Sequence, residues 1–263
     1  MTLRPEVLPG ELVEAVRRLA AREQVLLAFD FDGVLAPIVL DPMQARPLPA
    51  ARDALYALAA TPGTSLALVS GRPLDQLRLL ADPPPGTALV GSHGAESDPA
   101  LDLGDTLDGA ARQLLKQVSD QLGQIRDRFP GTAVEHKPTA AVLHTRGADR
   151  PIAAAATQAA LDGPARWDGV HPIAGKEVVE LAVTDVTKGT ALRQLRARTG
   201  PATGGVLYVG DDVTDERAFA VLDDDAGDVT VKVGDGNTAA RHRIPDPPAV
   251  ARLLQTIAAL RSR

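Results

Sequence analysis

The stretch Val25-Leu26-Leu27-Ala28-Phe29-Asp30-Phe31-Asp32-Gly33 decides how this chain reads. Five consecutive apolar residues, followed at once by two aspartates and a glycine, suit a strand buried on both faces with a loop at its carboxyl end. The same phrase recurs. Ser65-Leu66-Ala67-Leu68-Val69 runs into Ser70-Gly71-Arg72-Pro73, and Ala88-Leu89-Val90 runs into Gly91-Ser92-His93-Gly94. Further on, Val206-Leu207-Tyr208-Val209 ends in Gly210-Asp211-Asp212, and Thr230-Val231-Lys232-Val233 ends in Gly234. Helices separate the strands: Leu12, Val16 and Leu19 fall at helical spacing within 11–23, and another helix is expected over 49–60. Strands alternating with helices predict a parallel α/β sheet. The polar residues all follow strands, at the edge where open α/β sheets bind ligands.

The middle of the chain breaks this rhythm. Residues 104–125 read as one long helix, 132–146 and 169–184 have strand character, and a short helix is expected around 152–161. This predicts a small α+β insert over 104–183, set into an α/β core formed by 1–103 and 184–263. Pro83-Pro84-Pro85 and Pro245 to Pro248 read as local turns or spacers.

Composition narrows the chemistry. Of the 263 residues 44% are hydrophobic, enough for a real core, while aromatics make up only 3%. Lys plus Arg is 28 against 34 Asp plus Glu, a formal charge of −6. An acidic chain with few stacking rings is a poor partner for nucleic acid or for an anionic membrane surface. The sequence has no cysteine, which excludes thiolate catalysis and Cys-based metal sites. Met1 to Gln24 lacks an apolar signal core and no apolar run approaches a membrane span, so the expectation is a cytoplasmic protein, and a monomer.

Asp30 and Asp32 stand two apart at a strand end, where both can face one side; one could attack and the other transfer protons. An isolated Asp-Gly is more often only a turn. Gly210-Asp211-Asp212-Val213-Thr214-Asp215-Glu216 opens a helix and could simply cap it. Four acids in six residues exceed what a cap needs, however, and repel unless a cation compensates. Hard oxygen ligands without a Cys or His cluster point to Mg²⁺ rather than zinc. Ser70-Gly71-Arg72 offers a hydroxyl and backbone N–H groups at a helix start, a ready phosphate cradle or merely another cap. Lys188 gains interest as a counter-charge to a bound phosphate.

As an ordered set, Asp30 to Gly33, Ser70, Lys188 and Gly210 to Asp215 resemble the four motifs of the haloacid dehalogenase-like phosphatases, whose core is Rossmann-like and carries an inserted cap. Within that group the chain resembles the trehalose-6-phosphate phosphatases. The stretches that carry this are Asp30 to Ile38, Gly91-Ser92-His93-Gly94, Val134-Glu135-His136-Lys137 with His144 and Arg146, Gly175 to Glu180, and Lys232 to Ala239. Val34, Ala140 and Thr145 depart from residues common at those places. The resemblance implies that Asp30 is a nucleophile forming an aspartyl-phosphate and Asp32 the general acid and base. It implies Mg²⁺ held by Asp30, Asp32 and Asp211, with Asp212 and Asp215 in support. Ser70, Gly71, Arg72 and Lys188 would meet the phosphate. Glu135, Lys137, His144, Arg146, Lys176 and Glu180 would reach the hydroxyls of trehalose 6-phosphate from the cap. His93 is expected to be structural. The rivals are a phosphatase or phosphomutase for another sugar phosphate, and a non-catalytic sugar-phosphate sensor.

Overall fold

In the computed structural model of the chain, the described residues are 8–101, 107–175, 177–200 and 203–262. They group into two units, Met1–Leu103 with Thr187–Arg263, and Gly104–Val186. The first unit opens with α1 (Gly10–Ala20), β1 (Gln24–Phe29), α2 (Pro49–Ala59), β2 (Thr64–Val69), α3 (Leu74–Ala81), β3 (Ala88–Gly91) and the short β4 (Glu96–Ser97). The second unit follows with α4 (Gly109–Arg128), β5 (Ala133–His136), β6 (Ala140–His144), α5 (Arg150–Asp162), β7 (His171–Gly175) and β8 (Val178–Ala182). The chain returns to the first unit with α6 (Lys188–Thr199), β9 (Thr203–Gly210), α7 (Glu216–Phe219), β10 (Val229–Val233), β11 (His242–Ile244) and α8 (Pro247–Arg261).

The first unit is built on one sheet in the order β11-β10-β9-β1-β2-β3-β4, parallel throughout except for β4. Alternation along each strand sorts the side chains into two layers. Val25, Leu27 and Phe29 of β1, with Leu66 and Leu68 of β2, meet Leu12, Leu55, Leu77 and Leu253 from α1, α2, α3 and α8. Leu26, Ala28, Ala67 and Val69 meet Leu192, Leu195 and Phe219 from α6 and α7. Burial on both faces is why these strands read as unbroken apolar runs. Truncating Leu27, which is fully buried, to alanine would cost about 2–5 kcal/mol. The chain leaves β1 toward β2 and β3, then returns to the other side of β1 as β9. That reversal puts the switch point, and hence the ligand crevice, at the carboxyl ends of β1 and β9.

The second unit has its own four-stranded antiparallel sheet, β5-β6-β8-β7. Ala141, Leu143, Val179 and Leu181 face Val118, Leu122, Ile125, Ala156 and Ala160 of α4 and α5. Across the other face, Glu135, Val142, Glu180 and Ile173 stand in one row, fixed by the strand register. The two strand-like stretches of the sequence each resolve into two strands. Lys137 N–H donates to Ala140 O at 2.8 Å, closing the tight turn between β5 and β6. Helix α4 runs later than the expected 104–125; Asp108 caps it by accepting Ala111 N–H at 2.8 Å. Pro247 and Pro248 are not spacer residues but the first turn of α8, where a missing N–H costs nothing and Asp246 caps Ala249 at 2.8 Å. Among the described residues no helix is long and apolar enough to cross a membrane.

Candidate active site

Strand β1 delivers Asp30 directly. Its backbone N–H still pairs with Val209 O of β9 at 2.9 Å, so the ladder fixes the residue. The side chain is buried, and its two oxygens are divided: Oδ1 accepts the Phe31 N–H at 2.6 Å, and Oδ2 accepts the Lys188 ammonium at 2.6 Å. Lys188 heads α6, whose first turn is closed by a reciprocal Thr187–Thr190 capping box. The lysine is only 1% exposed. Its Nζ also donates to Asp215 Oδ1 at 2.8 Å.

Asp215 shows why the acidic turn needs so many carboxylates. Oδ1 accepts Lys188 and the Tyr208 hydroxyl, the latter at 2.7 Å. Oδ2 accepts the Asp211 and Asp212 N–H groups, both at 2.9 Å. Four donors fill its acceptor capacity, so Asp215 shapes the turn behind β9. Asp212, which is exposed, caps the following 3₁₀ turn by accepting Val213 N–H at 2.7 Å. Lys232, buried within β10, donates to Asp211 O and pins the same turn from the far side.

Asp32 takes a different partner from Asp30. Arg72 Nε and Nη2 fork onto Asp32 Oδ2 and Oδ1 at 2.6 and 2.7 Å. The guanidinium also lies over the Phe31 ring, 5.4 Å from its centroid. Gly33 (φ +71°) makes the turn between these elements, and a Cβ there would overlap the Asp211 carboxylate. Ser70 is buried at the end of β2, and its Oγ accepts Arg72 N–H at 3.3 Å. A Cβ on Gly71 would overlap the His93 ring. His93 therefore shapes the crevice beside the phosphate-cradle candidates. Asp30, Asp32, Ser70, Gly71, Arg72, Lys188, Asp211 and Asp212 line one crevice of about 570 Å³, bordered on one side by Ile38 and Val39.

Burial is the main reason the Asp30 carboxyl is pushed up to about 7; Lys188 opposes the rise and Asp215 adds to it. Burial, then the Asp215 charge, raises Asp211 to about 6. Burial works against the Lys188 charge, but Asp30 and Asp215 hold its pKa above the ordinary lysine range. The Tyr208 hydroxyl is raised well above its usual value by burial and by Asp215. Carboxyls raised chiefly by burial gain from a further counter-charge beside them. One oxygen each of Asp30, Asp211 and Asp215 lies within 4.8 Å of the others. Asp30 and Asp211 keep oxygen lone pairs that fit a hard divalent cation, with the filled Asp215 carboxylate behind them.

The insert's candidates pair among themselves. Lys137 Nζ meets Glu180 Oε2 at 2.7 Å, and His144 Nε2 meets Glu135 Oε2 at 2.8 Å. Arg146 is largely exposed and reaches Glu177 at 3.4 Å. Lys176 lies outside the described residues. Sequence reasoning missed Tyr208 and Lys232 as parts of the site. Their signal was available, because a tyrosine hydroxyl and a lysine inside otherwise apolar buried strands each require a partner.

A Rossmann-like sheet that gathers carboxylates and a buried lysine at its switch point is the architecture of the haloacid dehalogenase-like class. The family model for trehalose-phosphatase matches residues 28–246. The chain is 34% identical over 249 residues to the trehalose-phosphate phosphatase of Mycobacterium tuberculosis H37Rv, covering 91% of this chain and 62% of that protein. It is 36% identical over 257 residues to that of Mycobacterium avium, covering 91% and 63%. Among solved structures, Aspergillus fumigatus trehalose-6-phosphate phosphatase superposes with a TM-score of 0.72 at 28% identity over 98% of each chain. This chain belongs to the trehalose-phosphatase family. It spans about three fifths of the length of the mycobacterial relatives.

Proposed function

We propose that the chain is a Mg²⁺-dependent phosphatase that hydrolyses trehalose 6-phosphate through an aspartyl-phosphate on Asp30. The observation that carries this reading is Asp30 itself: a buried carboxylate at a strand end, steered by Lys188 at 2.6 Å, lining the crevice with Asp211 and backed by the buried Asp215. An Asp30 oxygen bonds to phosphorus as the phosphorus–sugar oxygen bond breaks, and Asp32 gives its proton to the departing sugar oxygen. Asp32 then takes a proton from water. The water oxygen bonds to phosphorus, the bond to Asp30 breaks, and phosphate leaves. Lys188, Ser70 and the Gly71 N–H counter the charge spread over the transferring oxygens.

Asp30 and Asp211, with the Asp32 backbone carbonyl, would hold the Mg²⁺, and Asp215 and Asp212 would support them from behind. When bound, the ion supplies the positive charge that lets an anionic ester approach an anionic carboxylate. The insert's row of Glu135 and Glu180, with Lys137 and His144, is the proposed source of sugar recognition. Paired polar groups that exchange partners for hydroxyls reject a sugar that leaves them unpaired.

The test is phosphate release from a panel of sugar phosphates with and without Mg²⁺, for wild type and Asp30→Asn. Magnesium-dependent release from trehalose 6-phosphate, well above the other esters and lost in the variant, is expected. Even release across the panel would overturn the substrate and keep the chemistry. No release from folded protein would point instead to a sugar-phosphate sensor.

A further inference from the structure

Thr214 lines the crevice, yet the site as described gives it no task. Its hydroxyl oxygen is buried and has no hydrogen-bond partner among the described residues. Buried hydroxyls are nearly always paired, and leaving one unpaired costs free energy that a valine in the same place would not incur. The bland role for a threonine here is to cap the 3₁₀ turn Val213–Asp215, but that need is already met. Asp212 accepts Val213 N–H at 2.7 Å, and Asp215 accepts both Asp211 and Asp212 N–H at 2.9 Å. The turn is therefore held without Thr214, and held rigidly, because Tyr208, Lys188 and Lys232 all bond to it. Val213, next to it, is 79% exposed. Thr214 thus places a hydroxyl, both donor and acceptor, on a residue of the crevice wall between Asp212 and Asp215.

We propose that the Thr214 hydroxyl is a phosphate-contacting group, donating its hydrogen bond to an oxygen of the phosphoryl group bound in this crevice. The proposal rests on the phosphatase reading for the identity of the anion. Its physical basis is a buried donor without a partner on a residue that lines the crevice. A hydrogen bond from a neutral donor to a charged oxygen is worth about ten- to a hundredfold in affinity. Because the phosphoryl group keeps its charge along the reaction, the loss falls on KM and phosphate affinity more than on kcat.

The experiment is calorimetric titration of inorganic phosphate into the Mg²⁺-loaded protein, for wild type, Thr214→Val and Thr214→Ser. Thr214→Val matches the shape and removes the donor; Thr214→Ser restores it. The expected result is phosphate affinity at least tenfold weaker in Thr214→Val, recovered in Thr214→Ser, with Tm unchanged or higher in Thr214→Val. Equal affinity in wild type and Thr214→Val overturns the proposal, as does wild type that binds no phosphate. Titration of Mg²⁺ alone separates the other oxygen source in the crevice. If Thr214→Val weakens Mg²⁺ by the same factor without phosphate, the hydroxyl serves the ion's water shell and the phosphate contact is overturned. Neither titration depends on turnover. A chain that binds phosphate through Thr214 but releases none from trehalose 6-phosphate would overturn the substrate reading and leave this one standing.

Discussion

Arg72 was expected to meet substrate phosphate, and the structure gives it another occupation first. Its guanidinium holds both oxygens of Asp32 at 2.6 and 2.7 Å while lying over Phe31. A fork of this kind fixes a carboxylate in direction as well as position, which a lysine's point charge does not. In the proposed reaction Asp32 is the proton donor, and its orientation is worth most in the transition state. Arg72→Lys should therefore lower kcat toward trehalose 6-phosphate by about tenfold, and Arg72→Ala by a further factor, with KM changed less than kcat. A KM rise at unchanged kcat would show instead that Arg72 serves only substrate binding. Lys232 makes a second test. Buried in β10 and bonded to Asp211 O, it holds the turn that places Asp211. Lys232→Met keeps the volume and removes the bond; it should weaken Mg²⁺ binding by about tenfold in a direct titration. Unchanged Mg²⁺ affinity would assign Lys232 to stability alone.

At the scale of elements, legibility followed burial. The strands β1, β2, β3, β9 and β10 could be read because burial on both faces leaves unbroken apolar runs, and because each run stops where a polar loop begins. The same feature hid Tyr208 and Lys232, since a buried strand reads as scaffold even where it carries a hydrogen-bonding group. The insert was harder. Residues 132–146 contain two strands, but Pro138-Thr139 is a weak turn signal, and the alternation across β5 and β6 is blurred by the buried Ala140 and Val142 on the face that carries charges. What the strand register adds is the single row of Glu135, Val142, Glu180 and Ile173, with Lys137 bonded to Glu180 and His144 to Glu135. If that face recognises the sugar, Glu180→Ala should cut kcat/KM for trehalose 6-phosphate by at least tenfold while hydrolysis of a small aryl phosphate stays within about twofold. Equal losses on both esters would remove the insert from sugar recognition and assign Glu180 to the insert's own stability.

For the whole molecule, the buried carboxyls link folding, metal and pH. Unfolded, Asp30 and Asp211 release their protons near pH 4; folded, burial holds those protons until about 7 and about 6. Between those limits the folded metal-free protein binds protons that the unfolded chain does not. Its stability from these two groups is full below about pH 4 and declines as pH rises through about 6 to 7. The proposed Mg²⁺ would act in the opposite direction, since it would bind the ionised carboxylates and compete with their protons. The metal-free Tm should fall by several degrees between pH 5 and pH 8. A fixed millimolar Mg²⁺ should raise Tm at pH 8 by clearly more than at pH 5. In Asp211→Asn both slopes should flatten, because one of the two proton-holding sites and one ligand are gone. Scanning calorimetry at the two pH values, with and without Mg²⁺, reads all of this in one matrix. Equal Mg²⁺ increments at pH 5 and pH 8 would mean that the ion displaces no protons, and so that Asp30 and Asp211 are not where it sits.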